Sequence, residues 1–321
     1  MTGCTQSRWF FSPHRGREML VVAAVGGNVL LQRGQPLTAE TQRANVKTAA
    51  QSLAQIVQAG HQLIVTHGNG PQVGLLASQG AAYSQAEAYP LDVLGAETEG
   101  MIGYLIEQEL ENALGHDHAV ATLLTQVIVD AHDIAFGTPT KFVGPTYTKD
   151  EAEARAKAAD WTIAQDGACW RRVVASPEPV EIPDLRVVRM LLDQGVIVIC
   201  AGGGGIPVIR RADGSLIGVE AVVDKDAASA LLAADIGADA LLLLTDVDAV
   251  YQGFGTDAAI PLRHLTPNEG RALDVPAGSM GPKLAAACDL ADRGGVSGIG
   301  RLTDALAILD GTAGTCVSQK N

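Results

Sequence analysis

The chain contains 321 residues, of which 47% are hydrophobic and only 4% aromatic, and its formal net charge is −13 at neutral pH. This length and apolar content suffice for a large aliphatic core and exclude a disordered or fibrous chain. The acidic balance argues against binding to nucleic acid or to an anionic membrane surface through overall electrostatics. No apolar run approaches the roughly 20 residues that a membrane-spanning helix needs.

Residues 1–18 are basic and contain Trp9-Phe10-Phe11, but they lack the apolar stretch of a signal peptide. We expect them to form a disordered leader that is dispensable for folding and activity. The cysteines are scattered and show no C-x-x-C spacing, which favours reduced thiols and a cytoplasmic protein.

Apolar runs that are typical of buried strands alternate with helical segments along the chain. Strands are predicted at residues 20–25, 63–66, 119–129, 196–200 and 240–244. Helices are predicted at about 39–59, 73–79, 92–114, 149–159, 185–194, 227–236 and 284–293. Thr38 is the expected N-cap of the first helix, and Gly60 is the residue expected to end it.

The segment 130–174 interrupts this alternation with Gly, Pro, Thr and Tyr, then a charged helix, then Trp161 and Trp170. We predict an inserted, protruding subdomain with short strands here, and a hairpin at the Asp213-Gly214 turn. The remaining pattern predicts an α/β fold in which helices cover both faces of a mostly parallel central sheet, as in a three-layer αβα sandwich. Ligands of such folds bind at the carboxyl ends of the strands.

Three predicted strands are each followed by a glycine-rich turn: Gly26-Gly27-Asn28, Gly68-Asn69-Gly70-Pro71, and four glycines at 202–205. Such turns leave backbone N–H groups free and let an anion approach without a Cβ clash. Any one of them alone could be an ordinary tight turn, but the repetition favours a phosphate-binding crevice. The residues predicted to bind substrate or phosphate are Gly26, Gly27, Asn28, Gly68, Asn69, Gly70, Gly203 and Gly204. Neither a Walker P-loop nor a Rossmann fingerprint is present.

Lysine occurs at only seven positions, and three of these are Lys141, Lys225 and Lys283 in glycine-, proline- or aspartate-containing contexts. A lysine at a helix N-terminus is disfavoured by the helix dipole, so a bound phosphoryl group is a good reason for Lys225 and Lys283 to lie there. Asp224 is expected to orient both of these lysines. Lys141 lies in the insert, which could close over the reacting phosphate; an exposed loop lysine is the alternative.

The most apolar strand ends in Leu244-Thr245-Asp246-Val247-Asp248, where acids could contact a ligand or merely cap a turn. Tyr251 follows and could cover an adenine ring. The His116-Asp117-His118 triplet is interpreted as a solvated polar turn, and no residue is assigned as a metal ligand.

Together these blocks resemble those of the carbamate kinases, a family of the amino-acid kinase superfamily. The resemblance runs from about residue 19 to the end. The matching segments are 25–28, 67–74, 125–127, 133–136, 139–141, 171–177, 202–208, 218–226, 244–248 and 278–283. Related superfamily members carry a lysine on the first strand, whereas residues 19–31 contain none. Carbamate kinases resemble this chain in supplying that cation from the protruding subdomain, at the position of Lys141.

The resemblance implies an amino-acid kinase fold and reversible phosphoryl transfer, in which ADP and carbamoyl phosphate give ATP and carbamate. It implies catalytic roles for Lys141, Asp224, Lys225 and Lys283, and Mg²⁺ as a cofactor bound with the nucleotide. The implied nucleotide-binding residues are Thr245, Asp246, Val247, Tyr251 and Met280. It also implies a homodimer, a role in arginine metabolism, an N-terminal lobe at 19–205 that binds carbamate or carbamoyl phosphate, and a C-terminal nucleotide-binding lobe at 206–321.

Two alternatives remain open from the sequence. One is another small-acid kinase of the same superfamily, which an assay of carbamoyl phosphate against acetylglutamate or UMP distinguishes. The other is a catalytically dead nucleotide-binding regulator, which would be expected to lose at least one of Lys141, Lys225 and Lys283; all three are present.

Overall fold

The computed structural model describes residues 17–31, 34–84, 88–159, 161–256, 258–275 and 280–319. The expected disordered leader therefore lies outside the described residues, except for residues 17 and 18. None of the described helices is both long and apolar enough to cross a membrane.

Short strands make up most of the fold's framework. They are β1 (Leu20–Val25), β2 (Gln62–His67), β3 (Val120–Thr122), β4 (Gln126–Val129), β5 (Lys141–Tyr147), β6 (Thr162–Asp166), β7 (Cys169–Val174), β8 (Pro179–Glu181), β9 (Ile197–Ile199), β10 (Ile206–Arg210), β11 (Leu216–Gly218), β12 (Ala240–Thr245), β13 (Val250–Gln252), β14 (Ile260–Leu262), β15 (His264–Leu265), β16 (Ser297–Arg301) and β17 (Thr315–Val317).

Helices connect most of the strands of the central sheet. They are α1 (Gly27–Leu30), α2 (Ala39–Gln58), α3 (Gly70–Tyr83), α4 (Leu91–Leu114), α5 (Lys149–Ala159), α6 (Leu185–Leu192), α7 (Lys225–Ile236), α8 (Pro267–Ala272), α9 (Met280–Asp292) and α10 (Ala305–Leu309).

Eight of the described strands form one central sheet in the order β15-β17-β16-β12-β1-β2-β9-β3. Its neighbouring strands are parallel except for the β16–β17 pair. A four-stranded sheet, β11-β10-β4-β8, lies beside it, and β5-β7-β6 form a separate antiparallel sheet. The prediction of an α/β fold with a mostly parallel central sheet is confirmed.

The central sheet is covered on both faces, because alternate residues of its strands enter two different cores. On β1, Val21 and Val25 belong to a core with α2, α4 and α10, whereas Val22 and Ala24 belong to a core with α6, α7 and α9. All six residues of β12 are buried. This burial on both sides explains why β12 is a continuous apolar run without alternation.

Local sequence signals placed several boundaries correctly. The Thr38 side chain accepts a hydrogen bond from the Thr41 N–H and caps α2, and Gly60 follows that helix with a positive φ of 88°. Gly214 also has a positive φ, of 85°, at the turn of the antiparallel β10–β11 hairpin.

The single strand predicted over residues 119–129 is wrong, because the segment divides into β3 and β4 in two different sheets. Thr125, between these two strands, makes no strand pairing and instead forms hydrogen bonds with α4 and with the turn after β9. Its N–H donates to the Glu99 carboxyl at 2.9 Å, and its hydroxyl accepts from the Ala201 N–H at 2.9 Å. These contacts with α4 and with the turn after β9 divert the chain between the two sheets.

The segment predicted as a protruding subdomain forms β5, α5, β6 and β7. Its sheet contacts the rest of the molecule most closely where β5 crosses α3. A Cβ atom added to Gly74 would lie 2.7 Å from the Cα of Gly144. The two glycines thus let the backbones of the subdomain and the body approach each other directly.

Candidate active site

The three glycine turns follow β1, β2 and β9, which are adjacent parallel strands of the central sheet. Their carboxyl ends therefore meet at one edge of the sheet. The neighbouring β12 ends at the same edge, where the Leu244 carbonyl accepts a hydrogen bond of 2.9 Å from the Gly26 N–H. The structure thus brings together turns that are separated widely in sequence.

Contacts between the first two turns are too close for any side chain larger than hydrogen. A Cβ atom added to Gly68 would lie 2.9 Å from the backbone nitrogen of Gly27 and 3.4 Å from the Cδ of Lys225. The lysine stem therefore lies against the point where these turns meet.

The third turn packs equally closely on its neighbours. A Cβ atom added to Gly203 would lie 2.1 Å from the Asn69 amide nitrogen, and one added to Gly204 would lie 2.3 Å from the Val223 carbonyl oxygen. Gly203 and Gly204 also have positive φ angles of 68° and 97°. Glycine is required here both for conformation and for space.

Two glycines of these turns face open space instead. A Cβ atom added to Gly27 or to Gly70 would meet nothing within 4 Å. Gly70 and Lys225 are the first residues of α3 and α7, so their N–H groups have no intrahelical partner and can face an anion, whereas the next two N–H groups of α7 are capped by Asp224. The side chain of Asn28 lies outside the described part of the structure, so its predicted contact stays a prediction.

The three predicted catalytic lysines are held by two aspartates. The Nζ of Lys283 lies 3.0 Å from Asp226, whose other carboxylate oxygen contacts Lys225. The Nζ of Lys141 lies 2.6 Å from Asp224. The sequence predicted that Asp224 orients Lys225 and Lys283; in the structure Asp226 bridges those two lysines, whereas Asp224 joins the subdomain's lysine to the start of α7.

Asp224 has a second role as the N-cap of α7. Its side chain accepts hydrogen bonds from the N–H groups of Asp226 at 2.9 Å and Ala227 at 3.3 Å. Burial would raise the pKa of this carboxyl, but Lys141, Lys225 and the Ala227 N–H outweigh it and hold the pKa at about 2. The carboxylate is therefore ionised at every physiological pH.

The lysine cluster carries an excess of positive charge. Lys225 is largely buried, with 12% of its side chain exposed, and burial lowers its pKa, opposed by Asp226. Three ammonium groups and two carboxylates leave the cluster with a net charge of +1. An anion that enters beside Gly27 and Gly70 would meet this excess charge.

The five predicted nucleotide-binding residues all line one small cavity at the end of β12. The cavity is lined by Thr245, Asp246, Val247, Ala249, Tyr251, Phe254, Val275 and Met280. The Tyr251 hydroxyl donates to the Asp248 carboxylate at 2.9 Å, and its ring lies 6.0 Å from that of Phe254. The lining combines two aromatic rings with aliphatic side chains, a composition that is common in small-molecule sites.

Sequence reasoning missed four residues of this region, namely Asp226 beside the lysines and Ala249, Phe254 and Val275 in the cavity. Asp226 was present in the Asp-Lys-Asp motif, and its position at the first turn of α7 beside Lys225 could have marked it. Phe254 and Val275 carry no comparable signal, because they enter the cavity from loops whose course the sequence does not specify.

A larger cavity of about 890 Å³ lies between the α3–α4 connection and the subdomain. It contains Trp161, Arg172 and Glu220 but none of the three lysines. Among the described residues, no group of three or more His, Cys, Asp or Glu side chains is arranged to hold a metal ion.

A family model described as the amino acid kinase family matches residues 19–299. The match begins at the residue before β1, so the part of the chain predicted to be a leader lies outside it.

Whole-chain comparisons give similar proteins over nearly the same range. The carbamate kinase of Rhizobium meliloti (strain 1021) is 55% identical over 94% of this chain and 93% of its own length. The carbamate kinase of Haemophilus influenzae is 51% identical over 94% of this chain and 97% of its own. The structure is similar to that of carbamate kinase from Giardia lamblia bound to AMP-PNP, with a TM-score of 0.86, 38% identity, and coverage of 94% and 98%.

Proposed function

The chain belongs to the carbamate kinases of the amino acid kinase family, and we propose that its glycine turns and lysine cluster carry out reversible phosphoryl transfer between carbamoyl phosphate and ADP. The products are ATP and carbamate, which decomposes to ammonia and CO₂. The observation that carries this proposal is the convergence of three glycine turns and three lysines beside the cavity at the end of β12.

The reaction forms one P–O bond and breaks another. A terminal β-phosphate oxygen of ADP attacks the phosphorus of carbamoyl phosphate, and the bond from phosphorus to the carboxyl oxygen breaks to release carbamate. Charge spreads over the equatorial oxygens of the phosphoryl group during the transfer, so positioning and charge neutralisation account for most of the catalysis.

Lys225 and Lys283 supply the fixed part of that neutralisation. Asp226 is 3% exposed and contacts both of them, so their ammonium groups are oriented before substrate arrives. Preorganised charge of this kind costs no reorganisation at the moment of reaction. The N–H groups at Gly27 and Gly70 would hold the planar carbamate or the phosphoryl oxygens.

Lys141 supplies the adjustable part. Its side chain is 35% exposed and comes from β5 of the subdomain, and its partner Asp224 belongs to α7 of the body. A phosphoryl group in the crevice would compete with Asp224 for this ammonium group. The subdomain would then close over the site and exclude water.

Mg²⁺ would accompany the nucleotide. Asp224 and Asp226 are the carboxylates nearest the lysine cluster, and each is paired with a lysine, so the ion would be held mainly by the nucleotide's phosphates. Mg²⁺ usually keeps several waters and binds through substrate phosphates with one or two carboxylates at most. When bound it would neutralise charge on the phosphate oxygens.

We also propose binding roles for the two halves of the chain. The residues at the end of β12, with Tyr251 and Met280, would bind the adenine nucleotide, so that residues 206–321 form the nucleotide lobe and 19–205 the carbamate lobe. We further propose a cytoplasmic homodimer that acts in arginine metabolism. The cysteines that the structure describes are free thiols, which supports a reducing compartment.

The direct test measures ATP formed from ADP and carbamoyl phosphate in the presence of Mg²⁺. We expect turnover with carbamoyl phosphate, and no ADP formation in matched reactions that supply ATP with acetylglutamate or UMP as the phosphoryl acceptor. Activity with one of those compounds but not with carbamoyl phosphate would contradict the proposed function.

A further inference from the structure

Two buried titratable groups lie directly behind the third glycine turn, and the phosphoryl-transfer chemistry uses neither. Glu99 of α4 and His67 of β2 are each 1% exposed. A Cβ atom added to Gly202 would lie 2.5 Å from the His67 ring and 2.9 Å from the Cγ of Glu99. Both side chains therefore pack on the backbone of the turn itself.

Glu99 connects this turn to the loop between β3 and β4. One carboxyl oxygen accepts the Thr125 N–H at 2.9 Å, and the Thr125 hydroxyl accepts the Ala201 N–H at 2.9 Å. The preceding residue, Thr98, accepts a hydrogen bond of 2.9 Å from Asn69, which packs on Gly203. Adjacent residues of α4 thus support two adjacent glycines of the turn.

Among the described residues, none of the titratable groups that act on Glu99 is a cation that could balance a carboxylate. The titratable groups that face it are His67 from β2, Cys200 after β9, and Asp184 before α6. Burial lowers the pKa of His67 to about 4, so this ring is neutral at physiological pH. The other carboxyl oxygen of Glu99 has no hydrogen bond of good geometry among the described residues, and the Gly202 N–H acts on this carboxyl only from a less favourable position.

We propose that Glu99 is a positioning residue that must be neutral: its protonated carboxyl holds the glycine turn in place without putting a negative charge behind the anion-binding backbone. An ionised Glu99 would repel the phosphoryl group that the turn receives on its other side. Burial raises the pKa of Glu99 to about 8, against the lowering effect of the Thr125 and Gly202 N–H groups. The group is thus protonated at neutral pH and ionises in mild base.

This inference rests on the proposed function for its kinetic consequence. If only the neutral form binds substrate well, the KM for carbamoyl phosphate of the wild-type enzyme rises about tenfold between pH 7 and pH 9. Glu99→Gln keeps an uncharged acceptor for the Thr125 N–H, so its KM should lose this pH dependence. Glu99→Leu is also uncharged but removes the acceptor, so its KM should be raised at every pH.

Matched controls separate Glu99 from other groups. Glu97→Gln changes an exposed carboxylate two residues away on the same helix and should retain the wild-type pH profile. The rise in KM would persist in Glu99→Gln if deprotonation of Lys225 caused it, and that outcome would overturn the proposal.

A measurement of stability tests the charge state of Glu99 without any substrate. A pKa raised from its unfolded value of 4.5 to about 8 means that the folded state retains a proton that the unfolded state has lost. The stability contributed by the neutral carboxyl is complete below pH 4.5 and is lost as pH rises to about 8. The urea midpoint of the wild type should therefore fall relative to that of Glu99→Gln across this range.

Parallel midpoints for the two proteins across this pH range would overturn the proposal. If wild-type enzyme does not turn over carbamoyl phosphate but the midpoints diverge as described, the proposed function fails while the neutral Glu99 stands. If Glu99→Gln does not fold, carboxyl ¹³C NMR of the wild type decides: a glutamate that titrates near pH 8 supports the proposal, and its absence refutes it.

Discussion

The central sheet and the protruding subdomain are stabilised in different ways. The sheet is aliphatic, and its middle strand β12 is buried along its whole length between two layers of helices. The subdomain has few buried residues and relies on cations stacked over aromatic rings. The pairs are Lys149 with Trp170, Arg155 with Tyr147, Arg171 with Phe142 and Arg172 with Trp161, with charge-to-ring distances of 4.7–5.8 Å.

The three lysines that we propose to be catalytic divide between these two regions in the same way. Lys225 and Lys283 come from helices packed on the sheet, and each has 12% or less of its side chain exposed. Lys141 comes from the subdomain and is 35% exposed. A buried pair of charges is thus combined with a third, more exposed charge on the subdomain.

The largest effect should come from the buried part of the cluster. We expect Lys225→Ala to lower kcat by about 10²–10³-fold, because one preorganised charge on the transferring phosphoryl group is removed. ADP binding should change less, since this charge acts mainly in the transition state. Steady-state kinetics with both substrates would measure the split. Lys47→Ala, an exposed position on α2, is the control and should behave as wild type.

A substitution in the core should destabilise the central sheet. We expect Leu242→Ala on β12 to reduce the free energy of unfolding by about 2–5 kcal/mol, because the leucine is fully buried and its loss leaves a cavity. Denaturant unfolding would measure this loss. Leu124→Ala, at a position that is 56% exposed, should change stability little. Equal losses at the two positions would contradict the assignment of the core.

The subdomain's own cation should matter somewhat less than the buried pair. We expect Lys141→Ala to lower kcat about 10²-fold, at the lower end of the range for one charge, because its exposed position is partly screened. Steady-state kinetics would test this value. Wild-type kcat and KM in this variant would show that the subdomain does not close over the reacting phosphate.

The smallest effect should come from a single stacking contact. Arg155 lies 4.7 Å from the ring centre of Tyr147, and Arg155→Met should destabilise the subdomain by about 0.5–1 kcal/mol. Hydrogen–deuterium exchange should then increase in segments 141–174 and remain unchanged in β1 and β12. Arg186→Met, on α6 of the body, is the matched control; a spread of faster exchange into the sheet would contradict independent stability of the two regions.

The sequence was sufficient for features that depend on local periodicity. The apolar runs located β1, β2 and β12, and the glycine turns after β1, β2 and β9 indicated that the site lies at one edge of the sheet. This inference works because parallel strands carry their carboxyl ends to a common edge. The capping residue Thr38 was recognised for the same local reason.

Features that depend on tertiary contacts could not be predicted in this way. The division of residues 119–129 into two strands depends on the hydrogen bond from Thr125 to Glu99, which lies 26 positions earlier in the chain. The pairing of Lys283 with Asp226 joins residues 57 positions apart. The sequence does not reveal whether Asp224 or Asp226 pairs with Lys283, because both are aspartates next to Lys225.

The stacked rings of the subdomain give the protein an optical property. The chain has three tryptophans, and the two within the described residues, Trp161 and Trp170, both belong to this one element beside cationic partners. Indole emission responds to nearby charge and to water. In a Trp9→Phe protein, tryptophan fluorescence excited selectively over tyrosine would therefore come from the subdomain alone, and stopped-flow mixing with carbamoyl phosphate would test, without an added dye, whether substrate changes the surroundings of these rings.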